Sequence, residues 1–186
     1  MNKILYINAC VRENSRTKRL ADCVIEKLQG EVKEVNLYEA SLAPLTMQAM
    51  EKREKASAGC DFTDPMFGYA KDFSRANCIV VAAPYWDLSF PAVLKLYLEA
   101  VSVAGITFRY SEKGRPVSLC CADKLIYVTT AGGYIGENNF GFSYLKALSQ
   151  MLFGIEDVEC VSVEGLDIAP DKAEEILAKA IEEMKA

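Results

Sequence analysis

Apolar residues along the chain gather in two kinds of segment that take turns: short unbroken runs, and longer stretches where they recur every three or four positions. The runs Lys3–Ala9 (KILYINA), Ile79–Ala83 (IVVAA) and Lys124–Thr129 (KLIYVT) have the pattern of strands buried on both faces of a parallel sheet. Val158–Val163 supplies a further strand. Val32–Tyr38 alternates, with Val32, Val35 and Leu37 set between charged or polar residues, and predicts a shorter strand at the sheet edge.

Helical spacings fill the intervals. Leu20, Ala21, Val24, Ile25 and Leu28 line one face of a helix from about Lys18 to Leu28, with Ser15 or Thr17 as its cap and Gly30 at its end. Beyond the loop marked by Pro44, MQAMEKREKA predicts a mostly polar, exposed helix ending at Gly59. Thr63-Asp64-Pro65 opens another, with Met66, Phe67, Tyr69, Ala70 and Phe73 facing inward. From Pro91 to Val103 nearly every position is apolar apart from Lys95, Glu99 and Ser102, which predicts a helix covered on both faces. Asn139–Phe153 forms the next helix, stopped by Gly154, and the last begins at Pro170, with Ala173, Ile176, Leu177, Ala180, Ile181 and Met184 on one face. Ile106–Tyr110 and Pro116–Leu119 flank Glu112-Lys113-Gly114 and predict a small added hairpin.

Five strands alternating with helices predict an α/β fold in one domain over residues 1–186: a flavodoxin-like doubly wound five-stranded parallel sheet of order 2-1-3-4-5. Ligands of such sheets lie beyond the carboxyl ends of the strands, where the first and third diverge. Those ends are at Cys10 and Pro84.

Composition narrows the chemistry. A hydrophobic content of 51% fits a compact globular core, and the formal charge of −5 argues against nucleic acid as a partner. No apolar run is long enough to span a bilayer, and the start of the chain leads straight into a strand, so no membrane association and a cytoplasmic location are expected. The seven cysteines include no C-x-x-C pair, which predicts reduced, small core residues and no metal site; the adjacent Cys120 and Cys121 are left without a role. Histidine is absent, which removes the usual general base and any Ser-His or Cys-His dyad.

Three loops converge on the predicted ligand edge. The first, Cys10 to Thr17, offers the hydroxyls of Ser15 and Thr17, helix N-terminal amides and the guanidinium groups of Arg12 and Arg16, a set suited either to a phosphate dianion or to plain helix capping beside solvated arginines. The second, Pro84 to Phe90, carries Tyr85, the only tryptophan Trp86, and Asp87, which suit a flat, polar-edged ligand. The third, Thr130-Ala131-Gly132-Gly133-Tyr134, has paired glycines that let backbone N–H groups approach a ligand. Phosphate, flat ring and donor loop together describe FMN. Other doubly wound functions lack their residues: there is no G-x-G-x-x-G, no G-x-x-x-x-G-K-[ST], no acid at the end of the first or third strand, and no nucleophile elbow.

The segment PYWDLSFPAVLKLYLEAVSVAGITFRYSEKG resembles the flavin loop, long helix and hairpin of the FMN-dependent NAD(P)H:quinone oxidoreductase and azoreductase family, which commonly reads P-x-[YW]-N-F-x-x-P-x-x-L-K and then G-x-T-F-x-Y. By that resemblance Cys10, Ser15, Arg16 and Thr17 stand at the phosphate-loop positions. Pro84, Tyr85, Trp86, Asp87 and Leu88 stand in the segment that packs on the isoalloxazine, and Thr130, Ala131, Gly132 and Gly133 at its pyrimidine end. Arg12 joins them on charge and position alone.

The resemblance implies a homodimer with sites at its interface, NADH or NADPH as donor, and ping-pong two-electron reduction of quinones, azo or nitro compounds. Asp87 replaces a common Asn, putting a carboxylate where the family has an amide. Tyr134 is a candidate proton donor or ring wall, or else packs over its loop. A flavodoxin-type electron carrier serving a protein partner is the alternative; the arginines near the phosphate and the apolar helix count against it.

Overall fold

The computed structural model describes residues 2–185. Strands β1 (Lys3–Asn8), β2 (Glu31–Asn36), β3 (Cys78–Ala82), β6 (Lys124–Thr130) and β7 (Asp157–Val163) form one parallel sheet ordered β2-β1-β3-β6-β7, and β4 (Phe108–Tyr110) pairs antiparallel with β5 (Pro116–Ser118). Counting only the strands of the main sheet, this is the expected 2-1-3-4-5 order with β2 at an edge and the hairpin added.

Period-two alternation assigns each strand residue to one of two layers. Ile4, Tyr6, Val80, Val128 and their neighbours pack against helices α1 (Arg16–Lys27) and α6 (Ala173–Lys185). Leu5, Ile7, Val81 and Tyr127 point the other way, into a core shared with α3 (Gly68–Arg75), α4 (Ala92–Val101) and α5 (Phe140–Leu148). Both faces of the central strands are therefore dry, which is why they read as continuous apolar runs.

Helix ends differ from the sequence expectation in instructive ways. Helix α1 starts at Arg16 rather than Lys18, because Ser15 caps it and its Oγ accepts from the Lys18 N–H at 3.3 Å. Helix α2 (Met47–Gly59) runs through Gly59; the left-handed residue that ends it is Cys60 (φ 51°), whose N–H turns back to the Ala56 and Ser57 carbonyls. Pro91 stands just before α4 rather than in its first turn. Helix α5 widens into a π turn over Ser149–Phe153, closed by Gly154 at φ 64°.

Among the described residues, cover on both faces of α4 is not found. Leu94, Tyr97, Leu98 and Val101 are buried with Val93 packed at their flank, but Ala92 is exposed and Leu96 and Ala100 are only half-buried. Helix α2 lies beside it and buries none of its residues. Polar contacts hold it there: Arg53 donates to the carbonyls of Glu99 (3.0 Å) and Ala100 (3.2 Å), Ser57 donates to Ala104 O, and Lys52 pairs with Asp64. Arg53 thus supplies partners to the end of α4, where backbone carbonyls lack intrahelical donors. No described helix is long and apolar enough to cross a membrane.

Candidate functional site: a cleft at the carboxyl edge of the sheet

The carboxyl ends of β1, β3 and β6 open into a cleft of about 610 Å³, a size usual for a small-molecule cofactor site. The three expected loops meet there. Alternation along β6 explains how they are joined: Thr130 faces α1, and its hydroxyl oxygen lies 2.6 Å from that of Thr17, both buried. The Tyr85 N–H donates to Thr130 O at 3.0 Å, tying in the second loop.

Of the first loop, Arg12, Ser15, Arg16 and Thr17 line the cleft. Arg12 is exposed and has no ion pair among the described residues, so its guanidinium is free for a ligand. The Ser15 oxygen accepts from the Lys18 N–H of α1, and the Thr17 hydroxyl is engaged with Thr130. Cys10 is not part of the wall. It continues β1 into the core, where the thiol lies 3.8 Å from Ala82 O and its backbone N–H donates to Asn8 Oδ1. Burial pushes the Cys10 thiol up to about 11, so it stays protonated and unreactive at ordinary pH. Accordingly, iodoacetamide at pH 8 should modify the exposed Cys60 and Cys121 of the folded protein first and leave Cys10 intact, as peptide mass mapping will read.

In the second loop, Pro84, Tyr85 and Trp86 line the cleft, and Trp86 is 42% exposed. Trp86 and Ser89 exchange backbone hydrogen bonds of 3.1 and 2.8 Å around Asp87 and Leu88, whose φ values of 50° and 65° make a two-residue turn of the type I′ kind. Asp tolerates the left-handed region; Leu there costs roughly 1–2 kcal/mol. Helix α5 clamps the strained turn from below. The Phe140 N–H donates to Leu88 O at 3.2 Å, and Tyr85 Oη donates to Asn138 O at 2.9 Å. Gly141 allows the close approach, since a Cβ there would stand 3.1 Å from the carbonyl carbon of Ser89. Asp87 and Leu88 form the exposed tip of this turn and do not line the cleft, so the carboxylate does not face its interior.

Thr130, Ala131 and Gly132 of the third loop line the cleft; Gly133 and Tyr134 do not. The carbonyls of Gly132 and Gly133 accept from the Asp167 and Gly165 N–H groups, at 2.9 Å each, while their own N–H groups make no backbone hydrogen bond among the described residues. Tyr134 is 75% exposed and its ring covers Gly165.

A fourth segment, between β7 and α6, escaped the sequence reading. It brings Leu166 and Asp167 to the cleft, where Glu174 from the first turn of α6, Val11, Asn14 and Arg19 join the lining. Arg16 Nη1 lies 2.9 Å from Asp167 Oδ1, and Arg19 Nη1 lies 2.7 Å from Glu174 Oε2. The signal was present, because the loop after every strand of a doubly wound sheet emerges at the same edge.

A family model described as having a flavodoxin-like fold matches residues 2–186. The chain is 35% identical to FMN-dependent NADH:quinone oxidoreductase 2 of Clostridium acetobutylicum, the match covering 100% of this chain and 97% of that protein. It is 33% identical to the FMN-dependent NADH:quinone oxidoreductase of Clostridium beijerinckii over 100% and 97% of the two chains. Among solved structures, the azoreductase from Bacillus anthracis strain Sterne superposes with a TM-score of 0.84 at 28% identity, covering 99% of this chain and 97% of that one. Carried along its whole length by these matches, the protein belongs to the flavodoxin-like family of FMN-dependent NADH:quinone oxidoreductases.

Proposed function

We propose that this protein is an FMN-dependent oxidoreductase that takes a hydride from NADH and reduces quinones by two electrons, with azo and nitro compounds as further acceptors. The observation that carries this is the set of groups that three loops bring to one cleft: cations and helix amides from the first, an aromatic wall from the second and an unengaged backbone donor from the third. That set of partners fits a phosphate, a flat ring and its polar edge.

The chain's own residues divide the work. Arg12, Arg16, the Ser15 hydroxyl and the first amides of α1 hold the phosphate, favoured by the positive end of the helix dipole. Tyr85 and Trp86 flank the ring and shield it from water, on a turn that α5 keeps rigid. Gly132, which lines the cleft, donates its backbone N–H to the ring's carbonyl edge. Thr17 and Thr130 brace the first loop against the third rather than touching ligand. FMN, when bound, would supply the hydride-accepting and hydride-donating centre that no amino-acid side chain provides. Tyr134 is assigned to packing over Gly165, because it stands outside the cleft lining.

Residues 1–186 are read as one FMN-binding domain, supported by two apolar layers that share a single sheet. The open side of α4 and the adjoining groove of about 590 Å³, which includes Met50, Leu98, Phe108 and Tyr144, support a homodimer built on that face. Seven free cysteines support a reducing, cytoplasmic setting. The test is an anaerobic titration of the FMN-loaded protein with NADH, and separately NADPH. Stoichiometric loss of the flavin's visible absorbance with NADH, reversed by a quinone, is the expected result; bound FMN that neither nucleotide reduces would overturn the proposal in favour of a flavodoxin-type carrier.

A further inference from the structure

An acid already spans the gap between the first and third loops of the cleft. Asp167 reaches Arg16 through Oδ1 at 2.9 Å, and its other oxygen lies over Gly132, 2.1 Å from where a Cβ on that glycine would be. The carboxylate therefore rests on the bare face of a residue whose N–H is unengaged, with its far side against the guanidinium. Glu174 extends the pattern, 4.0 Å from Arg16 Nε and 2.7 Å from Arg19 Nη1. Both arginines at the start of α1 are thus neutralised by acids from the far end of the chain. Arg12 is the cation of the cleft left without an ion pair among the described residues.

We infer that Asp167 is a specificity-determining residue for the cofactor: a built-in carboxylate that occupies Arg16 and the face of Gly132 until the phosphate of a flavin displaces it. The inference rests on the reading of the cleft as an FMN site. Two anions compete for one guanidinium, so Asp167 subtracts mainly from the phosphate's contribution. It thereby sets how strongly FMN is preferred over riboflavin, and sets that preference low. Its side chain is 71% exposed and has, among the described residues, no hydrogen-bond partner but Arg16, so it can swing into solvent when the phosphate arrives. The cofactor held by such a cleft exchanges with free FMN instead of being trapped.

Titration of the cofactor-free protein with FMN and with riboflavin, followed by quenching of flavin fluorescence, tests this. Asp167→Asn keeps the shape of the side chain and removes its charge, and Glu112→Gln on the exposed hairpin turn makes the same charge change far from the cleft. Asp167→Asn should tighten FMN about five- to tenfold, in keeping with the modest strength of exposed ion pairs, and leave riboflavin within about twofold. Glu112→Gln should move neither. Weaker or unchanged FMN binding by Asp167→Asn, equal tightening of riboflavin, or the same gain from Glu112→Gln would overturn the inference while leaving the FMN site intact. A parent protein that binds neither flavin would overturn the FMN reading, and this inference with it.

Discussion

An Arg12→Ala, Arg16→Ala double variant binds FMN about 100-fold more weakly than the parent and riboflavin within about threefold, because only FMN presents a phosphate. Hydrogen bonds to charged groups contribute about 1.5–3 kcal/mol each, and about 1.4 kcal/mol is a factor of ten in affinity. Arg12 is unpaired and contributes in full; Arg16 must first leave Asp167, which holds the combined loss near the lower bound. The fold should tolerate both changes, since the ion pair lost is partly exposed and stabilises by at most about 1 kcal/mol. Equal losses for the two flavins would place the phosphate elsewhere.

Trp86→Ala, by contrast, weakens FMN and riboflavin together, by about tenfold or more, since a flat ring stacked on an aromatic side chain gains about 1–3 kcal/mol. Trp86 lines the cleft, is 42% exposed and belongs to neither main core, so its removal should leave thermal stability within a few degrees. The backbone hydrogen bonds between positions 86 and 89 do not need the indole. Unchanged flavin affinity, measured by fluorescence quenching, would make Trp86 a turn residue and nothing more.

The contrast between these variants reflects which physical signals a sequence carries. Strands such as KILYIN and CIVVA are legible because burial on both faces demands an unbroken apolar run, and the strand order follows from their number and connections. The first three loops are legible for the same reason: each follows a strand that must end at the cleft. Conformation within the loops is less so. A type I′ turn is ordinarily announced by glycine, and Asp87-Leu88 has none; its geometry comes from the Phe140 and Tyr85 hydrogen bonds across to α5, which spacing along the chain does not encode.

The pairing of Arg16 with Asp167 is hidden more deeply. It joins residues separated by 151 positions, and nothing local distinguishes these charges from a solvated face. Cys10 stands off the cleft wall for a related reason. Its neighbours in sequence have the character of a loop, but its backbone still follows β1 into the core, with the Ala9 N–H donating to Ala82 O.

Helix α2 stands apart energetically. With no fully buried side chain, its attachment rests on half-buried Ala56 against the Phe67 cluster, the part-buried bonds from Arg53 and Ser57, and the Lys52 pair. Such a segment belongs to the low-stability end of a protein and opens without the sheet having to unfold. Each opening frees the last carbonyls of α4 and widens the adjoining groove, so amide exchange along α2 runs far ahead of exchange in β1, β3 and β6. One wall of the groove beside α4 therefore hangs on a few contacts, and the time that wall stands away from α4 governs how wide a groove the protein offers.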